Sequence, residues 1–321
     1  MKIGVVLVLY ANLPLAEALD RAVEHGLEAV EIGSGNYGGT AHCDPRRVVE
    51  DDDYAESILR EVRSRNLTLS ALSCHGNPVH PQAETARAHD EMFQWTCRAA
   101  ARLGVDTVTL FSGCPGDRQG GSTPNWVTCP WPPEYSELYD WQWHEVTIPY
   151  WRKATAFANE AGIQKLAFEM HPSMIIYNPT TLLRLQETIS KTINANLDPS
   201  HLFWQGIDVI RAIRALEGAI YHVHAKDCRV DPVNADVNGV LDATPYSDEI
   251  RRAWIFRTVG YGHGVEFWKQ FVSTLRLVGY DYVLSIEHED SLMSVNEGLT
   301  KAVQLLKEAI IAEQPTAMWW A

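Results

Sequence analysis

Four apolar runs in the second half of the chain end on residues that can ligate a metal. "LAFEMHP" stops on Glu169, "NLDPSH" on Asp198, "HVHAKD" on His224 and "LSIEHED" on Glu287. Taken singly, an Asp before Pro is a turn residue and a carboxylate at a strand end is solvated. Taken together they say more, because independent turns would not all choose ligands. Three carboxylates gathered at one place repel one another unless a cation sits among them. One imidazole with three carboxylates suits a hard or borderline divalent ion. Mn²⁺ is the first expectation, with Mg²⁺, Co²⁺ and Zn²⁺ as alternatives.

The elements that must position these residues recur regularly. Short apolar runs alternate with amphipathic stretches of helical period. The strand candidates are "KIGVVLVLY", "LEAVEIG", "LTLSALSCHG", "VDTVTLFSG", "KLAFEMHP", "TINANLDPSH", "AIYHVHAKD" and "DYVLSIEHED". Each is followed by a helical pattern, as in "LAEALDRAVEHG" and "VEFWKQFVSTLRLVG". Eight strand–helix units without a glycine-rich turn after the first strand predict an α/β fold, a closed (β/α)₈ TIM barrel. A doubly wound sheet is the alternative, but "YANLPLAEAL" offers no such turn. "GYGHG", Gly260 to Gly264, is read as a loop that follows no strand. A nicotinamide or flavin cofactor is therefore not expected.

We expect one barrel domain over residues 1–321. Two connections are longer than usual, an aromatic-rich insertion at about 113–150 after strand 4 and a loop at about 228–263 after strand 7. Long loops that follow strands lie on the C-terminal face of a barrel, where sites are built.

Composition narrows the partners. The 321 residues are 46% hydrophobic and carry a net charge of −14. An acidic surface repels phosphate backbones and anionic lipid, so neither nucleic acid nor membrane is expected. The six cysteines show no CxxC spacing, and the apolar opening is too short to span a bilayer. The expectation is a cytoplasmic protein with reduced thiols, assembled as an oligomer.

Further residues of chemical interest flank the four ligands. In "DWQWHE", Trp141, Trp143, His144 and Glu145 precede the fourth helix, with Trp126, Trp131 and Trp151 nearby. Aromatic faces stack on sugar rings and planar aglycones, which points to a glycoside with an apolar aglycone. The alternative is that these rings pack the insertion against the barrel rim. Trp143 and Glu145 are candidate substrate contacts. So are His75 in "SCHGNPVHP", His201 three residues after Asp198, and Lys226 two after His224. Asp227 is a candidate to orient a ligand, Glu31 ends the second strand, and His171 and His288 flank the metal glutamates. His222 alternates with His224 and should face the same way, one layer deeper.

Glu169, Asp198, His224 and Glu287, with "HVHAKD" and "SIEHED", resemble the xylose isomerase-like superfamily of barrels over nearly the whole chain. That superfamily contains sugar isomerases, keto-sugar epimerases, inosose dehydratase, sugar lyases and a DNA-repair endonuclease branch. The resemblance implies that the four residues bind Mn²⁺ or a similar ion, which chelates a substrate carbonyl and its neighbouring hydroxyl. It also implies that Glu169 and Glu287 act as acid and base. The physical logic agrees, since such an ion acidifies the proton beside the carbonyl and holds the enediolate. Proton return to the other face gives epimerisation, return to the neighbouring carbon gives isomerisation, and loss of a β group gives elimination.

The insertion resembles that of the large subunit of bacterial C-glycoside deglycosidases. This implies a metal-dependent lyase acting on 3-oxo-glycosides, with His144 as the base and a small β-rich second subunit as partner. A keto-sugar epimerase or isomerase is the alternative. An endonuclease for abasic DNA is disfavoured by the net charge of −14. A non-catalytic binding subunit is disfavoured by four intact ligands.

Overall fold

The computed structural model describes every residue except 119, 314, 315, 319 and 321. Ten strands form in chain order: β1 (Lys2–Val6), β2 (Ala29–Gly33), β3 (Thr68–Ser73), β4 (Thr107–Leu110), β5 (Lys165–Glu169), β6 (Ile193–Leu197), β7 (Ile220–Ala225), β8 (Asp227–Val230), β9 (Trp254–Arg257) and β10 (Val283–Ile286). Eight of them close a barrel in the order β1-β10-β7-β6-β5-β4-β3-β2. All neighbours in the barrel run parallel. The predicted fold is therefore the observed one.

The strands are almost continuously buried because helices cover the barrel's outer face. Successive side chains of β5 show the two environments. Phe168 faces outward and meets Trp151, at 4.6 Å between ring centroids, on helix Ile148–Glu160. Glu169 faces the barrel axis. On β7 the same alternation sends both His222 and His224 inward, with ring centroids 5.7 Å apart in successive layers.

Two register shifts interrupt the regular ladder. One lies between Val30 and Glu31, where β3 carries the extra residue Ser70. The other lies between Ala195 and Asn196, where β7 carries the extra residue Tyr221. Such bulges re-aim the side chains beside them. Here the re-aimed residues are Glu31 and Asn196, and both reach His224.

Three expectations need correction. The first strand ends at Val6, and Leu7–Tyr10 turns into a short 3₁₀ helix. Leu7 and Tyr10 still enter the core, so the apolar run continues while the backbone changes. The insertion is only partly a loop, since Pro133–Trp141 is helical and runs through a π-helical turn, Gln142–Thr147, into the next helix. The connection after β7 is built as well. β8 and β9 pair antiparallel, so "GYGHG" does follow a strand. Among the described residues no helix is long and apolar enough to cross a membrane.

Candidate metal centre

The C-terminal ends of β5, β6, β7 and β10 deliver Glu169, Asp198, His224 and Glu287 to one point. Each offers a ligand atom, and these atoms all lie within 4.8 Å of one another. Glu169, His224 and Glu287 line a cavity of about 270 Å³ at the barrel mouth, into which Phe111, Tyr37 and His75 also face. Asp198 caps helix Pro199–Phe203, accepting from the Ser200 amide at 2.8 Å through Oδ1. That bond fixes its carboxylate and turns Oδ2 toward the cluster. Asp198 Oδ2, His224 Nδ1 and Glu287 Oε2 are buried and make no well-aligned hydrogen bond, although Nδ1 lies 3.1 Å from Glu287 Oε2 and Asp198 Oδ2 lies 3.3 Å from His201 Nε2. Buried polar atoms are seldom left so. Three of them converging, from two carboxylates and an imidazole, fit a divalent cation with an oxygen-rich shell.

His224 is oriented for that role. Its Nε2 lies 3.0 Å from Glu31 Oε2 and 3.1 Å from the Asn196 amide nitrogen. Because Glu31 can only accept, Nε2 carries a proton, which leaves Nδ1 as the nitrogen that would face a bound cation. A carboxylate behind a metal-ligating histidine fixes both tautomer and ring orientation. Glu31 is itself held by Thr109 Oγ1 at 2.6 Å and Ser285 Oγ at 3.1 Å. Burial works against its charge, but His224 and His222 more than offset it and hold the carboxyl well below the usual range.

Glu169 sits between two imidazoles. His201 Nε2 is 3.1 Å from Oε1, and His75 Nε2 is 3.0 Å from Oε2. These partners overcome the burial penalty and keep it ionised. Glu287 stands beside Lys226, whose Nζ lies 3.2 Å from Glu287 Oε1 and 2.7 Å from Glu289 Oε2. Burial opposes the Glu287 charge, yet Lys226 and His224 bring its pKa down to about 2. Asp198 moves the other way, because burial together with the Glu169 and Glu287 charges outweighs His201 and Lys226. His224 is raised, since Glu31, Glu169 and Glu287 outweigh burial in favouring the imidazolium.

The four-ligand expectation thus matches one cluster in space. His75, His201 and Lys226 also join it. The "DWQWHE" residues do not. Trp143 was expected at the substrate but is fully buried in the core, with Arg184 over its ring at 4.2 Å. Its aromatic face is used for packing. His144 and Glu145 are exposed on the π-helical turn. His144 Nε2 is 3.3 Å from Arg184 on helix Pro179–Thr188, and none of the three residues lines the mouth cavity. His222 lies one layer below the cluster, between Asn196 Oδ1 at 3.2 Å and Ser70 Oγ at 3.5 Å. Burial brings its pKa down to about 4.

Asp227 faces away from the cluster. Its carboxylate accepts from the backbone amides of Gly260, Gly262 and His263 and from the His263 ring. A Cβ at Gly262 would collide with the Cys228 carbonyl and the Asp227 carboxylate. The "GYGHG" glycines therefore wrap an anion of the protein itself, which ties down the β8–β9 hairpin. That hairpin brings Phe256 over Lys226 Nζ at 4.3 Å. Asn196, Phe111, Glu289 and Phe256 were missed in the sequence. Only Asn196, two residues before Asp198 on an inward parity, carried a usable signal.

The family model for the xylose isomerase-like TIM barrel matches residues 19–309. The chain belongs to that family. A curated relative, the uncharacterized protein YfiH of Bacillus subtilis (strain 168), is 36% identical over 97% of this chain and 99% of its own. Among solved structures, an L-ribulose 3-epimerase superposes with a TM-score of 0.62 at 18% identity, covering 96% of this chain and 95% of that one. The IOLI protein, solved with a bound zinc atom, superposes with a TM-score of 0.62 at 18% identity, covering 96% of each chain. At these identities the superpositions show the shared barrel of the xylose isomerase-like family.

Proposed function

We propose that the protein is a divalent-metal-dependent epimerase or isomerase of keto sugars. The observation that carries this reading is the convergence of ligand atoms from Glu169, Asp198, His224 and Glu287, all within 4.8 Å of one another, at the mouth cavity that three of them line. A divalent ion held there polarises a ketone and its neighbouring hydroxyl and acidifies the C–H beside the carbonyl. The residues around it supply the rest. Glu287, its side chain 22% exposed, is the carboxylate open to the cavity and takes or gives the proton. Glu169, 4% exposed and clamped by His75 and His201, is the second carboxylate and faces the same space. Lys226 sits beside Glu287 and Glu289 and offers a cation to an anionic oxygen of the substrate. The likeness of the barrel to an L-ribulose 3-epimerase supports the substrate class.

Elimination from a 3-oxo-glycoside begins with the same proton transfer. The aromatic walls beyond the mouth favour that second reading. The test is exchange in D₂O. Protein reconstituted with Mn²⁺ is incubated with ketohexoses, and deuterium at the carbon beside the carbonyl is followed by NMR. Exchange that needs metal and is lost in Glu169→Gln together with metal retention is expected. Exchange undiminished in metal-stripped protein overturns the reading.

A further inference from the structure

The segment that joins β8 to β9 leaves its apolar side chains in solvent. Val233 and Val237, one turn apart on helix Pro232–Asn238, are 79% and 80% exposed. Ile250, on the 3₁₀ turn Glu249–Arg251, is 82% exposed. Leu241 and Tyr246 in the same segment, and Leu292 beyond β10, are also more than half exposed. Helix Pro232–Asn238 buries none of its seven residues, although a helix draws most of its stability from packing one face.

These side chains share one surface. Asn234 stands between the two valines and donates to the Ile250 and Arg252 carbonyls at 2.9 and 3.0 Å, which lays the helix along the turn. Glu249 accepts from the Ser291 hydroxyl, which brings Leu292 alongside. Single apolar residues scattered over a surface are normal, but a connected patch marks a contact site.

Its size fits a second protein surface. A standard interface covers about 800 Å² per partner, a little over half of it apolar, or roughly 450 Å². A side chain of this kind offers roughly 60–120 Å² of apolar area. At exposures of 59–82%, the six present roughly 250–500 Å². The charges narrow the occupant. Between Arg229 and Arg251 the exposed charged side chains are Arg229, Asp236 and Arg251. Arg251 is held by Asp248 at 2.7 Å, while Arg229 and Asp236 form no ion pair among the described residues. One free charge of each sign suits a two-fold contact, because each copy offers the other its opposite. On a chain of net charge −14 that local balance favours a second copy over a strongly basic partner.

The patch also borders the site. Tyr246, Glu249 and Ser291 are walls of a hollow of about 440 Å³, which meets the metal cavity at His171 and Glu289. A body lying on the patch closes the outer side of that hollow.

We propose that two copies of the chain pair through this face about a two-fold axis, with Val233, Val237 and Ile250 of each packed on the same residues of the other. Each copy then roofs the hollow beside its partner's metal cavity. The pairing does not depend on which reaction the metal site carries out.

The test follows full-length protein by sedimentation velocity between about 1 and 100 µM, with hydrogen exchange measured at both ends of that range. Val237→Glu and Ile250→Glu each place a carboxylate inside the face. Leu277→Glu does so at a position that is 66% exposed at the end of helix Val265–Leu277, on the opposite end of the barrel from the hairpin. All three positions are on the surface, and thermal unfolding checks that the variants fold. The expected result is a dimer in wild type and in Leu277→Glu, and self-association at least about tenfold weaker in both face variants. Exchange over residues 232–251 is expected to slow in the concentrated wild type. Wild-type protein that stays monomeric at about 100 µM overturns the pairing and returns the face to a different partner. A dimer that both face variants leave intact overturns it too, as does a dimer whose slowed exchange lies outside residues 232–251 and 291–292.

Discussion

The substitution Glu31→Gln tests the orienting role assigned to a residue that touches no ligand atom facing the cavity. Glu31 receives three hydrogen bonds, from His224 Nε2 and Ser285 Oγ at Oε2 and from Thr109 Oγ1 at Oε1. Glutamine has the same shape. With its carbonyl at the Oε2 position it still accepts from His224 and Ser285. Its amide then faces Thr109, whose hydroxyl can rotate to accept. What is lost is the charge. A hydrogen bond to a charged group contributes roughly 1.5–3 kcal/mol against about 0.5–1.5 for a neutral one, a difference of about 1–1.5 kcal/mol. That is close to tenfold in affinity and lies at the lower end of the roughly 10–100-fold cost of removing partners behind metal-ligating histidines. Glu31→Ala goes further, because it leaves two hydroxyls and an imidazole unpaired in the barrel interior, so we expect close to a hundredfold loss. Mn²⁺ affinity is measured by competition with a fluorescent chelator, and thermal unfolding of metal-free protein checks that both variants fold. The expected order is wild type, then Gln, then Ala. Wild-type affinity in both variants, or equal loss in both, refutes the argument that the Glu31 charge sets the His224 tautomer.

Three further outcomes follow from the packing. His144→Ala should leave Mn²⁺ affinity and D₂O exchange within about twofold of wild type, since exposed positions contribute little and His144 meets Arg184 instead of the cavity; a hundredfold fall in exchange with metal retained would restore it as a catalytic base. Phe168→Ala should destabilise the fold by about 3–5 kcal/mol, because the ring is fully buried against Trp151; a loss under about 1 kcal/mol in urea denaturation would contradict the packing. Iodoacetamide on the native protein should label Cys129 alone, because the other five cysteines are buried and burial pushes the thiols of Cys43, Cys74 and Cys114 up to about 12; peptide mass spectrometry showing rapid labelling at Cys97 would be inconsistent with this core.

The barrel and the convergence of four candidate ligands were legible in the sequence for a topological reason. In a parallel barrel every strand ends on the same face, so a strand's last inward residue has a known address. Glu169, Asp198, His224 and Glu287 needed no other information, and His222 followed from the two-residue period. "DWQWHE" lacked any such constraint. Its ring and imidazole types suggest chemistry, but their direction is set by a π-helical turn that the helical period does not encode. Trp143 was turned into the core and His144 outward. The pairing of Glu31 with His224 has no signature in the sequence, because it spans 193 positions and depends on a bulge at Ser70. The hairpin β8–β9 was hidden for a similar reason. Its two strands are only four residues each and are separated by a helix and a turn.

The run His224 to Asp227 ties these pieces together. His224 supplies the imidazole, and Lys226 supplies the buried cation beside Glu287. Asp227 turns the opposite way and gathers the backbone amides of the "GYGHG" loop. Side chains that alternate along one extended segment thus hold a ligand, a charge and the anchor of a hairpin. That hairpin returns Phe256 to Lys226 and carries Trp254 onto Trp204, against which it stacks. The base of the hairpin at Asp227 is only three residues of backbone from His224. A shift at Asp227 would therefore displace both the hairpin and His224.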